Sequence, residues 1–476
     1  MPRLRILFVV SECVPFVKTG GLGDVAGALP PALTARGHDV RVVMPRYRAT
    51  KSFPSRRRDV SVGVPLGGGG TRWCGLVEAT LPGATPVYFL EHDVLFDRDG
   101  VYGDDHGSFG DNLLRYAVLS RGAFAVADAV AFRPDVVHIN DWPTGLVPLY
   151  ARHLGRPVAT VMSIHNLGYQ GWFSFDDVGV AGVSPGEARA RGYEHGGALN
   201  LLQGGILNAT MVSTVSPTYA AEIATDEGGM GLQGAIRARG ADVIGVLNGI
   251  DDTVWDPRRD PHLPAPYDVD DLAGKAVCKA ALQAELGLPV RADVPLIGVV
   301  SRFAHQKGID VLAAALESLL TLDLQLAVLG KGEPWAEALF RHLGERSDKV
   351  GAHIAVDERL AHRIEAGADL FLMPSRYEPC GLNQMYSQRY GTLPVVRAVG
   401  GLVDTVAHDR TGFVFADLTV DGLVGAVRHA LTTMRERPEH FAAMRRAAME
   451  KSMGWDRSAA HYEALYRLAI ARTRRR

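Results

Sequence analysis

Two cations five residues apart, Arg302 and Lys307, stand in the string SRFAHQKG from residue 301, directly after an apolar run. Arg grips phosphate oxygens with its planar fork and Lys adds a compact positive charge, so the pair suits a diphosphate. Two exposed cations on a surface loop are the open alternative. A second stretch, residues 375–405, carries one acid, Glu378, in a turn bracketed by Pro and Gly, and later a glycine pair, Gly400-Gly401. One acid and two glycines in such loops can hold a sugar hydroxyl and a phosphate. A third stretch reads KTGGLGD from residue 18. Consecutive glycines let backbone amides approach an anion, a helix starting near Gly23 adds the positive end of its dipole, and Lys18 adds charge. A plain tight turn is the alternative, which Lys18 and Asp24 on either side of the glycines make the weaker one.

Asp141 closes the run 136–141 and His165 closes 161–165, so both are polar residues at the ends of apolar runs. A lone histidine in that position is as readily structural as catalytic. Gly21, Gly23 and Ala26 fit a loose dinucleotide fingerprint, but about ten residues separate them from the preceding strand, where that fingerprint needs a tight turn. Asp97-Arg98-Asp99 and Asp268-Val269-Asp270 match the metal-binding D-x-D string; neither follows a strand end, and both are read as coincidence. The four cysteines, Cys13, Cys74, Cys278 and Cys380, form no C-x-x-C pair, so neither a zinc site nor a disulfide framework is expected. Cys380 is read as a buried free thiol.

Short apolar runs separated by helix-length segments must position these residues, the pattern of parallel α/β sheets. Strands are expected at 4–10, 39–44, 87–90, 135–139, 158–164, 209–215 and 242–246, then at 296–300, 324–329, 351–356, 369–373 and 393–396. Between the two sets, residues 247 to about 293 hold a Pro- and Asp-rich stretch that reads as an interdomain crossing. At 476 residues the chain is too long for one ordinary domain, and 47% hydrophobic composition allows large cores. A formal net charge of -2 gives no reason to expect nucleic acid or an acidic membrane surface. The apolar run 4–10 is too short for a signal peptide and nothing approaches a membrane span, so a cytoplasmic protein is expected. The segment 458–471 places Tyr462, Leu465, Leu468 and Ile470 on one helical face, and the basic tail 472–476 is read as a solvated end.

Taken together, KTGGLGD, the pair His165-Asn166, NGID at 248–251, SRFAHQKG and the long 375–405 string resemble bacterial glycogen synthases and plant starch synthases, the ADP-glucose-type enzymes of glycosyltransferase family 5. The resemblance implies an α/β GT-B fold: two Rossmann-like doubly wound domains facing a central cleft, with the final helix crossing back to the first. The domains would be 1–246 completed by 457–476, on the acceptor side, and 247–456, on the donor side. Carried over by position, Lys18 with the amides at Gly20 and Gly21 resembles the donor-phosphate contacts, and Arg302 and Lys307 the pair that neutralises the leaving group. His165 resembles the residue beside the transferred glucose. Glu378 resembles the acid that holds its hydroxyls, with Gly400 and Gly401 nearby. Asp24, Asp141 and Asn248 match positions lining the glucose and acceptor end. The implied substrates are ADP-glucose and an α-1,4-glucan, with no metal or other cofactor.

Two positions depart from the family pattern. Val356 stands where bacterial relatives usually carry a Tyr associated with adenine, which implies weaker holding of the base. Pro143 follows Trp142 where many relatives have His. A GT-B sugar-nucleotide epimerase or isomerase and a non-catalytic glucan-binding relative are the rival readings; the complete set of Lys18, His165, Arg302, Lys307 and Glu378 argues against the second of these.

Overall fold

The computed structural model describes residues 2–67 and 70–474. The chain divides into two compact units, Met1–Gly249 with Trp455–Arg476, and Ile250–Gly454. These bounds lie a few residues from the 246/247 and 456/457 crossings read from sequence.

The main sheet of unit one has nine strands among the described residues: β1 (Arg5–Val9), β2 (Asp39–Pro45), β3 (Arg56–Pro65), β4 (Thr71–Leu81), β5 (Thr85–Glu91), β6 (Val136–Asn140), β7 (Ala159–Ile164), β8 (Met211–Thr214) and β9 (Val243–Gly245). Their order in the sheet is β9-β8-β7-β6-β1-β2-β5-β4-β3. Strands β9 through β5 run parallel, and β4 and β3 add an antiparallel hairpin at the edge. The order reverses between β1 and β6, the place where open α/β sheets gather ligands at the strands' carboxyl ends. Phe8, Val42, Val137 and Met162 are fully buried because parallel strands are covered on both faces. Helix α1 (Gly21–Ala35) follows β1, and α2 (Asn112–Ala129) packs against β3.

The helix Trp455–Thr473 belongs to this unit. Tyr466 Oη lies 2.7 Å from His138 Nδ1 in the core, and Glu463 accepts from Arg36 at 3.0 Å. Arg472, read from sequence as part of a solvated end, instead forms an ion pair with Asp242; Arg475 and Arg476 lie outside the described residues. No helix among the described residues is long and apolar enough to cross a membrane.

Unit two holds six parallel strands: β10 (Leu296–Phe303), β11 (Gln325–Gly332), β12 (Val350–His353), β13 (Leu370–Met373), β14 (Leu393–Arg397) and β15 (Phe413–Phe415). Their order is β12-β11-β10-β13-β14-β15, a doubly wound sheet whose switch point lies between β10 and β13. Alternate side chains feed separate cores: Ile297 and Val299 lie in one, Leu296 in the other. Helices α3 (Glu358–Gly367), α4 (Asn383–Arg389) and α5 (Gly400–Thr405) connect its later strands.

The Pro- and Asp-rich stretch is not a loose crossing. The Trp255 ring is stacked between His362 and Tyr386, each centroid 3.7 Å away, and Asp260 accepts from Tyr390 Oη and pairs with His362. Two of its acids, Asp256 and Asp260, are buried because each has a partner, Arg258 for Asp256 and His362 for Asp260.

Candidate active site

In unit two, β10 carries Arg302 as its penultimate residue and leads through a single turn, His305–Lys307, to Gly308. Gly308 has φ +66°, and a Cβ there would stand 1.9 Å from Pro374 O, so only glycine lets this loop close against the loop after β13. The two loops are joined by the Arg376 amide donating to Gln306 O at 2.8 Å. That closure brings Lys307 Nζ to 2.5 Å from Glu378 Oε2, which also accepts from Ser375 Oγ at 3.0 Å. Glu378 is 5% exposed. The acid and the cation assigned from sequence to sugar and phosphate therefore hold each other in this structure. Arg302 is exposed at the strand end, with Nη2 3.5 Å from Gln306 Oε1.

Within the glycine pair, Gly401 has structural contacts of its own. The Gly401 amide donates to Glu378 O at 3.1 Å, and a Cβ on Gly401 would stand 2.2 Å from Cys380 O. Gly401 thus seats α5 against the Glu378–Cys380 turn; Gly400, at φ +44°, starts the helix. Cys380 is a buried free thiol. Val356 is 90% exposed, just before Asp357 caps α3 by accepting from Leu360 N.

In unit one, α1 opens at Gly21, two residues earlier than expected, with Gly20 as its cap. A carboxyl group of the same unit already sits at this helix start. Glu12, which follows β1, accepts from Thr19 N at 2.7 Å, from Thr19 Oγ1, and from Gly23 N at 3.2 Å. Burial pushes its carboxyl up, and those bonds pull it partly back. Lys18 Nζ lies 2.7 Å from Asp24 Oδ1, so these two residues also meet each other here. Glu12 is not among the candidates that the sequence offers by motif. The available signal was a lone acid between a buried strand and a glycine loop.

Asp141 follows β6 at φ +54°, a left-handed conformation uncommon for Asp and often kept at functional sites. Its Oδ1 accepts from the His165 amide at 2.7 Å. Burial raises its carboxyl to about 7, with the backbone donors opposing the rise. His165 Nε2 lies 2.9 Å from Asn140 Oδ1, and Asn140 Nδ2 donates to Val9 O at 3.0 Å. That second bond sets the amide, so Nε2 carries the proton and Nδ1 keeps its lone pair. Burial pushes the imidazole down to about 3, so it is neutral near pH 7. Asn248 is buried, and its Oδ1 has no hydrogen-bond partner among the described residues. Pro143 sits at the first turn of the short helix Trp142–Thr144, where its missing amide proton is not needed.

The D-x-D strings are structural. Asp97 and Asp99 pair with Arg48, and Asp270 pairs with Arg446.

Residues 5–238 match the family described as the starch synthase catalytic domain, and residues 287–448 match glycosyl transferases group 1. A glycogen synthase of Anaeromyxobacter sp. (strain Fw109-5) is 52% identical, over 98% of this chain and 100% of its own. Glycogen synthase 1 of Geobacter sulfurreducens is 45% identical, over 99% and 97%. The chain belongs to the glycogen synthase family. It is a glycosyltransferase of the GT-B fold. The catalytic domain of starch synthase IV from Arabidopsis thaliana, solved with ADP and acarbose, superposes with a TM-score of 0.91 at 31% identity, covering 99% of this chain and all of that one. Sucrose-phosphate synthase from Thermosynechococcus elongatus, at 19% identity and a TM-score of 0.63, shares the fold.

Proposed function

We propose that this glycogen synthase transfers glucose from ADP-glucose to the non-reducing end of an α-1,4-glucan with retention of the α configuration, in the cytoplasm and without a divalent metal. The observation that carries the reading is the Lys307–Glu378 pair, set at the point where the strand order of unit two reverses. A cation and a carboxylate there match the two ends of a nucleotide sugar. Relatives named glycogen synthase over their whole length, and a structural neighbour solved with ADP and acarbose, support the donor and acceptor classes.

Each residue has a role in this reaction. Breaking the bond from the anomeric carbon to phosphate leaves positive charge on the sugar and adds negative charge to the departing ADP. Arg302 and Lys307 stabilise that anion, and fixed charges do so without reorganising. Glu378 accepts sugar hydroxyls, as do neutral His165 through Nδ1 and Asn248 through its unpaired Oδ1. Lys18 and the amides at Gly20 and Gly21 contact the donor phosphates, with Asp24 holding Lys18 in place until then. Gly400 starts α5 beside the sugar, and Gly401 keeps the Glu378 turn in register. Asp141 fixes the His165 backbone next to the reacting carbon. The acceptor hydroxyl attacks on the face from which phosphate leaves, and its proton passes to the departing phosphate oxygen.

Glucose-labelled ADP-glucose and UDP-glucose, each supplied with and without glycogen, test this. Label incorporated into glycogen from ADP-glucose supports the reading; an altered free nucleotide sugar without chain extension favours an epimerase and overturns it.

A further inference from the structure

The edge hairpin of unit one carries a feature that the transfer reaction does not use. One face of β3 and β4 is ordinary core: Val62, Val64, Cys74 and Leu76 are buried. The other face sets one aromatic ring among small residues, Ser61, Gly63, Thr71 and Gly75. Trp73 is paired across the strands with Gly63, and Gly75 with both Ser61 and Glu91. Directly paired residues share a face.

The ring is laid over the glycine. A Cβ on Gly63 would stand 3.2 Å from Trp73 Cη2 and Cζ3, yet Trp73 remains 66% exposed. The neighbouring glycine is covered in the same way by polar groups. A Cβ on Gly75 would stand 2.8 Å from Glu91 Oε2 and 3.0 Å from Arg57 Nη2. Arg57 Nη1 lies 2.7 Å from Glu91 Oε2, and Arg46 pairs with the other Glu91 oxygen. An open aromatic face therefore lies beside a paired guanidinium and carboxylate on one surface, with two glycines beneath.

We propose that this surface is a second carbohydrate-binding site, and that it holds an α-glucan chain apart from the site of transfer. An indole face suits the C–H side of a sugar ring, and it buries apolar area at little entropic cost. The flanking charges already satisfy each other. They offer hydrogen-bond donors and acceptors to hydroxyls rather than an unpaired charge to an ion, which favours a neutral polyhydroxylated ligand over a nucleotide or an acidic peptide. β3 lies four strand spacings from β1, roughly 19 Å across the sheet, so its occupant is a distant part of a long acceptor. The inference rests on the glucan reading above.

Trp73→Ala tests it, with Trp73→Tyr as the conservative partner and circular dichroism as the fold control. Migration in native gels with and without glycogen reads binding without any nucleotide sugar. Kinetics are then compared between glycogen and a short malto-oligosaccharide acceptor that cannot span from one site to the other. The expected result is weaker retardation of Trp73→Ala and a KM for glycogen raised roughly two- to twelvefold, the range of one aromatic contact. kcat and the short-acceptor KM should stay at wild-type values, and Trp73→Tyr should recover most of the binding. Unchanged retardation and KM in Trp73→Ala would overturn the assignment. So would a change in oligomeric state by light scattering with glycogen binding intact, which would make the surface a protein contact. Wild-type transfer to the short acceptor reads the proposed reaction independently, so its absence would count against that reading alone.

Discussion

Lys307 Nζ lies 2.5 Å from Glu378 Oε2, and the two residues come from the loops after β10 and β13, the strands on either side of the switch point in unit two. Gly308 permits the approach by leaving room for Pro374 O. In this structure the pair is closed on itself, with Ser375 as the third member. A substrate that brings both a phosphate and hydroxyls can satisfy both partners at once, which a phosphate alone cannot.

Glu378→Gln keeps the shape of the acid but removes its charge. The expected outcome is a fall in kcat/KM of roughly 100- to 1,000-fold, with ADP binding by calorimetry retained. Glu378→Ala, which leaves Lys307 and Ser375 without their common acceptor, should fall further and lower the melting temperature. Loss of ADP binding in Glu378→Gln would place the residue at the nucleotide instead.

Exhaustive chelation should leave the rate within about twofold of the untreated enzyme if, as proposed, Arg302 and Lys307 supply the positive charge that a metal gives other transferases. The D-x-D acids are meanwhile held by Arg48 and Arg446. Activity that disappears with chelator and returns with magnesium would refute this.

Asp141 and His165 pull the pH dependence of stability in opposite directions. The carboxyl of Asp141 is raised to about 7, so the folded state binds the extra proton between about pH 4 and 7; the penalty for charging it grows as pH rises through that window and is complete above it. His165 is lowered to about 3, so its penalty is present in acid and disappears above about pH 6.5. The difference between Asp141→Asn and the wild type isolates the first effect. The variant should gain nothing near pH 4 and melt a few degrees higher near pH 8, on a scale of roughly 2–4 °C per kcal/mol. A gain that is largest in acid would contradict the assignment.

Val356 is exposed, so a larger side chain fits there without displacing anything. A ring stacked on a base is worth roughly 1–3 kcal/mol. Val356→Tyr should therefore tighten ADP binding by about five- to 150-fold by calorimetric titration, lowering KM with kcat little altered, since base contacts are alike in ground and transition states. Equal or poorer binding would mean that position 356 does not meet the base.

The parallel strands were legible because each is a short apolar run between helix-length segments, and every expected run became a strand. The edge hairpin was missed, although Val62, Val64, Cys74 and Leu76 alternate as an edge strand should; Arg56-Arg57-Arg58 and the glycines around Trp73 hide that period on the open face. β15 is only Phe413–Phe415, too short to show a pattern. At the site, residue types were readable but pairings were not. That Glu12 occupies the start of α1, that Lys18 meets Asp24, and that Gly401 packs against Cys380 depend on how each loop folds back on itself, which residue type and spacing do not specify. The left-handed backbone of Asp141 left no trace in composition.

The division of unit one into two segments has a consequence for how the protein is made. His138 and Ser163 are in the middle of its sheet, but the partner that completes their hydrogen-bonded chain is Tyr466, on the far side of unit two in sequence. Ribosomes add about 5–20 residues per second, so the roughly two hundred residues of unit two impose a delay of some 10–40 s. During that interval the face of β6 and β7 destined for the helix Trp455–Thr473 is uncovered, while unit two, one uninterrupted stretch, is free to fold first. The order of synthesis is thus the reverse of the order of completion, and the nascent first unit is the stage at which a chaperone has most to protect.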